Sequence, residues 1–77
     1  MGIEVLFFGE LAEISGNSSA GLDLARDTDE LLEILMVKYP DLRNKSFSVA
    51  LNNKMIKGPK PLNEGDVLAL MPPFSGG

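Results

Sequence analysis

The 77-residue chain contains no cysteine and no histidine. Without cysteine there is no disulfide, no thiolate nucleophile and no thiolate metal ligand. Without histidine the commonest general base and the commonest transition-metal ligand are both missing, and a Ser-His-Asp triad cannot be assembled. Excess positive charge is also lacking. The net charge is −4, which argues against nucleic acid as the main partner. No stretch approaches the ~20 apolar residues of a membrane span, so no membrane partner is expected. The first residues lack the basic region and long apolar run of a signal peptide, and a cytoplasmic protein is the expectation. A chain so poor in reactive groups is expected not to be an enzyme in its own right. It can still be the substrate of one.

Hydrophobic residues make up 44% of the chain, the proportion of a folded domain rather than a disordered one. Its length suits one small domain, which buries only about 60% of its unfolded surface. Charge is unevenly distributed. The acids Glu4, Glu10, Glu13, Asp23, Asp27, Asp29, Glu30 and Glu33 precede all but one of the bases, Arg26. From Lys38 to Lys60 the bases Lys38, Arg43, Lys45, Lys54, Lys57 and Lys60 face a single acid, Asp41. Such an asymmetry can orient a docking partner.

Ile3 to Phe8 reads as a strand, apolar on both faces except for Glu4, and therefore central in a sheet. Glu10 to Ile14 suits one or two helical turns, and Gly21 to Leu24 a short second strand. The main helix is expected to begin near Thr28 as N-cap, with Asp27 and Glu30 as an alternative capping box one residue earlier. Leu31, Leu32, Leu35, Met36 and Tyr39 recur at helical spacing, and Pro40 stops the helix. Phe47 to Leu51 alternates as a strand, Asn52-Asn53 turns it into Lys54-Met55-Ile56, and Asn63-Glu64-Gly65-Asp66 turns into a last strand, Val67 to Met71. The order predicts an α+β domain: a mixed sheet of about four to five strands with one main helix across one face. Leu68 and Leu70 join Phe47, Val49 and Leu51 beneath the helix. By alternation Phe8, Met55 and Met71 point to the open face as an apolar patch.

Residues 1–71 are expected to form the domain and residues 72–77 a flexible Gly-Gly tail. Pro72-Pro73 cannot donate to a sheet ladder and hold the exit extended. After Phe74 and Ser75 come Gly76 and Gly77, which carry no side chain and can thread a narrow tunnel. A carboxylate presented this way is expected to be the group on which chemistry is done. Paired acids at Glu10 and Glu13, or at Glu64 and Asp66, offer too few oxygen ligands for a divalent cation and read as solvated surface. Lys54, Lys57 and Lys60 lack the glycine-rich strand-to-helix setting of a nucleotide loop.

Ile3-Glu4-Val5-Leu6-Phe7-Phe8-Gly9, the Thr28-led helix, Leu62-Asn63-Glu64-Gly65-Asp66-Val67 and Met71-Pro72-Pro73-Phe74-Ser75-Gly76-Gly77 together resemble the small subunit of molybdopterin synthase. That family comprises β-grasp, ubiquitin-like sulfur carriers, and the resemblance spans the whole chain. It implies that a ubiquitin-activating-type enzyme uses ATP to adenylate Gly77. A sulfur donor then displaces AMP to leave a thiocarboxylate. The large synthase subunit, partner in a heterotetramer, takes the sulfur for the dithiolene of a cyclic pyranopterin precursor. It further implies that Pro72, Pro73, Phe74, Ser75 and Gly76 are the recognised stem. Phe8, Met55 and Met71 match docking positions, no cofactor or metal is bound, and catalytic groups belong to the partners. Three other uses remain open on the residues alone: a protein modifier joined through Gly77 to lysines, a sulfur carrier for thiamin or another pathway, and a plain interaction domain.

Overall fold

Alternating apolar residues near each end of the chain meet in one sheet. The computed structural model describes residues 2–73. Among them the strands are β1 (Gly2–Phe7), β2 (Ser19–Asp23), β3 (Ser48–Leu51), β4 (Lys54–Met55) and β5 (Val67–Met71). The helices are α1 (Glu10–Ser15) and α2 (Thr28–Lys38), followed by a 3-10 helix at Pro40–Asn44. The strand order is β2-β1-β5-β3-β4. β1 and β5 run parallel, and the other three pairs are antiparallel. This is the expected mixed sheet with one main helix, the β-grasp architecture.

Ile3, Val5 and Phe7 of β1 and Leu68 and Leu70 of β5 are buried on one face against Leu31 and Leu35 of α2. Leu11 of α1 and Leu42 of the 3-10 helix complete that core. Burying each such side chain contributes about 1.5–3 kcal/mol. Phe47, Val49 and Leu51 pack against the same cluster, as alternation predicts. The Phe7 and Tyr39 rings meet edge to face, 5.8 Å between centroids.

Local details depart from the expectations. β2 spans Ser19–Asp23 rather than Gly21 to Leu24, because β1 pairs along its length: Ile3 lies opposite Leu22 and Leu6 opposite Ser19. The N-cap of α2 is Asp27, the alternative, not Thr28. The Asp27 carboxylate accepts from the Glu30 N–H at 2.9 Å, and the Glu30 carboxylate accepts from the Arg26 N–H at 2.7 Å. Thr28 is committed elsewhere. It is only 1% exposed, its N–H donates to the Lys60 carbonyl at 2.8 Å, and its hydroxyl accepts from the Lys60 N–H at 3.0 Å. Pro40 does end the α-helix, but the chain continues as a 3-10 turn that delivers Leu42 to the core.

Asn52 and Asn53 both have positive φ, 50° and 71°, as a two-residue hairpin turn of type I′ requires. The Asn52 side chain also latches the hairpin to β5. Its carbonyl oxygen accepts from the Val67 N–H at 2.9 Å and its amide donates to Asp66 at 3.0 Å. The Asp66 carboxylate accepts in addition from the Asn63 N–H at 2.8 Å. These bonds, that from Asn63 foremost, hold the Asp66 carboxyl below its ordinary 3.8. Asp27 is lowered likewise, chiefly by the Glu30 N–H.

Two outcomes are expected. Thr28→Val keeps the shape but deprives the Lys60 N–H of its acceptor, and should lower stability by about 1 kcal/mol in urea titration. Because the Asp66 pKa is depressed by folding, its stabilisation is present above the unfolded pKa and is lost as pH falls below about 4. Asp66→Ala should therefore melt lower than wild type at pH 6, and the gap should narrow at pH 3.

Candidate docking surface and tail stem

The register of the sheet decides which side chains share its uncovered face. Leu6 lies beside Ala69, Ala69 opposite Ala50, and Ala50 opposite Met55, forming one row across four strands. Val67 and Met71 flank Ala69 along β5. Small residues in the middle of the row leave a hollow of about 240 Å³, floored by Ala50 and Ala69 and walled by Leu6, Phe8, Met55, Val67 and Met71. Ala50 is 6% exposed, whereas Phe8 and Met55 are exposed at 47% and 56%. No loop covers the rim among the described residues. Phe8, Met55 and Met71, singled out from alternation, are thus brought together. The floor of Ala50 and Ala69 and the Leu6 wall were not singled out. Their signal was present: alanines at the outward positions of two strands whose inward positions carry Leu and Val.

The tail stem leaves this face at one edge of the hollow. Phe8 lies just past the end of β1, not inside it as expected, yet its N–H donates to the Leu70 carbonyl at 3.0 Å. That bond extends the parallel ladder by one step to the root of the stem. Gly9 follows with φ +58°, a conformation that side chains disfavour. A β-carbon there would stand 2.7 Å from Cγ of Pro72, so the first stem proline sits against bare backbone. From sequence Gly9 read only as the end of a strand. Pro72 and Pro73 are exposed and outside any strand. Phe74, Ser75, Gly76 and Gly77 lie outside the described residues.

The weaker acid pairs dissolve into surface contacts. Glu10 bridges to Lys45 at 2.9 Å, raising the Lys45 pKa through that bond and its charge. Asp66 is occupied by the hairpin latch. Among the described residues no group of three or more acidic side chains is placed to hold a metal ion, and no helix is long and apolar enough to cross a membrane. A second depression, about 350 Å³, lies between the start of α2 and β4. The Thr28 hydroxyl on its wall already accepts from Lys60.

Fold and site together define a ubiquitin-like β-grasp domain with an open apolar face at the root of a diglycine stem. The sequence matches the ThiS family over residues 5–77, and the chain belongs to that family. It is 31% identical over 83 residues to the molybdopterin synthase sulfur carrier subunit of Chlamydomonas reinhardtii, covering the whole of both chains. It is 32% identical, with a TM-score of 0.74 and full coverage of both chains, to a chain in the complex of subunits 1 and 2 of the molybdopterin-converting factor from Helicobacter pylori. It is also similar to SAMP1 of Haloferax volcanii, at 29% identity and TM-score 0.80, covering 97% of this chain and 98% of that one.

The face and the core should separate cleanly in mutagenesis. Met55→Ser on the exposed rim should change unfolding free energy by no more than about 0.5 kcal/mol. Leu70→Ala, two residues before the stem but facing α2, should cost about 2–5 kcal/mol. Chemical denaturation of the two variants checks this.

Proposed function

We propose that this chain is a sulfur carrier, the non-catalytic small subunit of a molybdopterin synthase, acting in the cytoplasm. One observation carries the reading above the others. The full-length kinship to such carriers coincides with an uncovered apolar face that ends at Met71, directly before the sequence Pro72-Pro73-Phe74-Ser75-Gly76-Gly77.

A free carboxylate is a poor acyl donor. An adenylating enzyme joins the Gly77 carboxylate to the α-phosphorus of ATP and releases pyrophosphate. A sulfur donor at the sulfide level then attacks the acyl carbon, AMP leaves with the bonding pair, and a thiocarboxylate remains. In the active site of the large subunit that sulfur passes to a cyclic pyranopterin precursor, and two such deliveries complete one dithiolene in a heterotetramer of two small and two large subunits. This chain's residues supply no acid or base. Gly76 and Gly77 give clearance in a narrow channel, Pro72, Pro73, Phe74 and Ser75 guide the stem, and Phe8, Met55 and Met71 dock each partner in turn. ATP is consumed by the activating enzyme, and this chain holds no cofactor.

A second reading is favoured by the likeness to SAMP1: the same activated terminus joined to lysines of other proteins. Intact-mass spectrometry of protein from its native host distinguishes them. One oxygen replaced by sulfur supports the carrier. Gly-Gly remnants on the lysines of other proteins support the modifier. Deleting Gly77 should abolish sulfur transfer while leaving the melting curve unchanged, and full activity in that variant would end the proposal. Phe8→Asp should weaken binding to the large subunit at least tenfold, the price of a charge buried at an apolar contact, worth about 1.4 kcal/mol or more.

A further inference from the structure

The charge asymmetry of the sequence acquires a direction in the folded sheet. The β2-β1 side of the open face carries two carboxylates. Glu4 is aligned with Val67 on the wall of the hollow, and Asp23 lies opposite Gly2 on the neighbouring strand. Both are exposed, and with Gly2 and Gly21 they line one shallow polar depression. Neither takes part in a salt bridge among the described residues. Across the hollow, β3 and β4 carry no carboxylate, and Lys54, opposite the core-facing Leu51, and Lys57, in the depression between α2 and β4, lie toward the helix side. The hollow thus has an acidic border on its β1–β2 side and none on its β3–β4 side.

We propose that the open face selects a protein partner presenting one large apolar side chain for the Ala50–Ala69 hollow and, on the β1–β2 side, a lysine or arginine over Glu4 with Asp23 behind it. The hollow by itself accepts an apolar knob in either sense along the sheet. Charge removes that ambiguity, because a basic group over Glu4 is attracted while the reversed approach sets it over β3 and β4, which offer no carboxylate. From the strand spacing and the rise per residue, Glu4 stands roughly 8 Å from Ala69 on the floor of the hollow, within reach of a residue adjacent to the knob. Charges at the rim of an apolar contact chiefly set association rate and orientation. That suits a carrier that must engage and leave successive partners with its stem pointing one way. The inference rests on the proposed function, which supplies the partner used as probe.

The test measures association rates of the full chain with the recombinant large subunit of molybdopterin synthase at 50 and 500 mM sodium chloride. Glu4→Lys/Asp23→Lys should associate about tenfold more slowly than wild type at low salt, with the difference shrinking to under about twofold at high salt. Glu4→Gln/Asp23→Asn, nearly identical in shape, should fall between them. These exposed substitutions should not alter the melting curve. Wild type and both variants associating at one rate, with one salt dependence, would overturn the charge reading and leave the carrier function standing. No binding of wild type at either salt concentration would overturn both.

Discussion

Everything in this fold depends on the parallel ladder between β1 and β5. It joins residues 4–7 to residues 67–70, so the first and last strands of the chain become neighbours at the middle of the sheet. Ile3, Val5 and Phe7 then lie beside Leu68 and Leu70 under α2, where most of the apolar burial is made. Parallel strands cannot be joined by a tight turn, and the intervening chain supplies the crossover that covers one face. The same ladder fixes the stem. Because Phe8 bonds to Leu70 and Gly9 receives Pro72, the exit of the chain is anchored to its own beginning.

The two faces of β5 illustrate how little separates core from contact surface. Leu68 and Leu70 are fully buried; Val67, Ala69 and Met71 line the hollow on the other side. A slip of one residue in the pairing would exchange the sets, filling the hollow with leucine and starving the core. The hairpin latch of Asn52 and Asp66 opposes such a slip, since it bonds the β3-β4 turn to the first residue of β5. A surface cluster of polar side chains thus protects the geometry of an apolar site.

Much of this was legible in the sequence because period-two alternation is strong in β1, β3 and β5. The Asn-Asn turn and the proline stop of α2 are equally plain. The side of the sheet facing the helix followed from Leu68 and Leu70, and with it the grouping of Phe8, Met55 and Met71. What escaped depended on contacts between distant segments. Thr28 was read as a cap from local rules, whereas its hydroxyl is drawn to Lys60, thirty-two residues away. The extent of β2 was set by β1, not by its own composition. Gly9 looked like punctuation, and only Pro72 gives it a reason.

The middle strand of the sheet is also the last of its five to be synthesised. Until residues 67–71 emerge from the ribosome, β1 and β3 have no β5 between them, and each presents an unpaired edge to its surroundings. The domain cannot assemble progressively from its amino end in the way that a string of helices can. Its assembly is abrupt, held back until residues 67–71 are available, and until then the strands that flank β5 remain open edges.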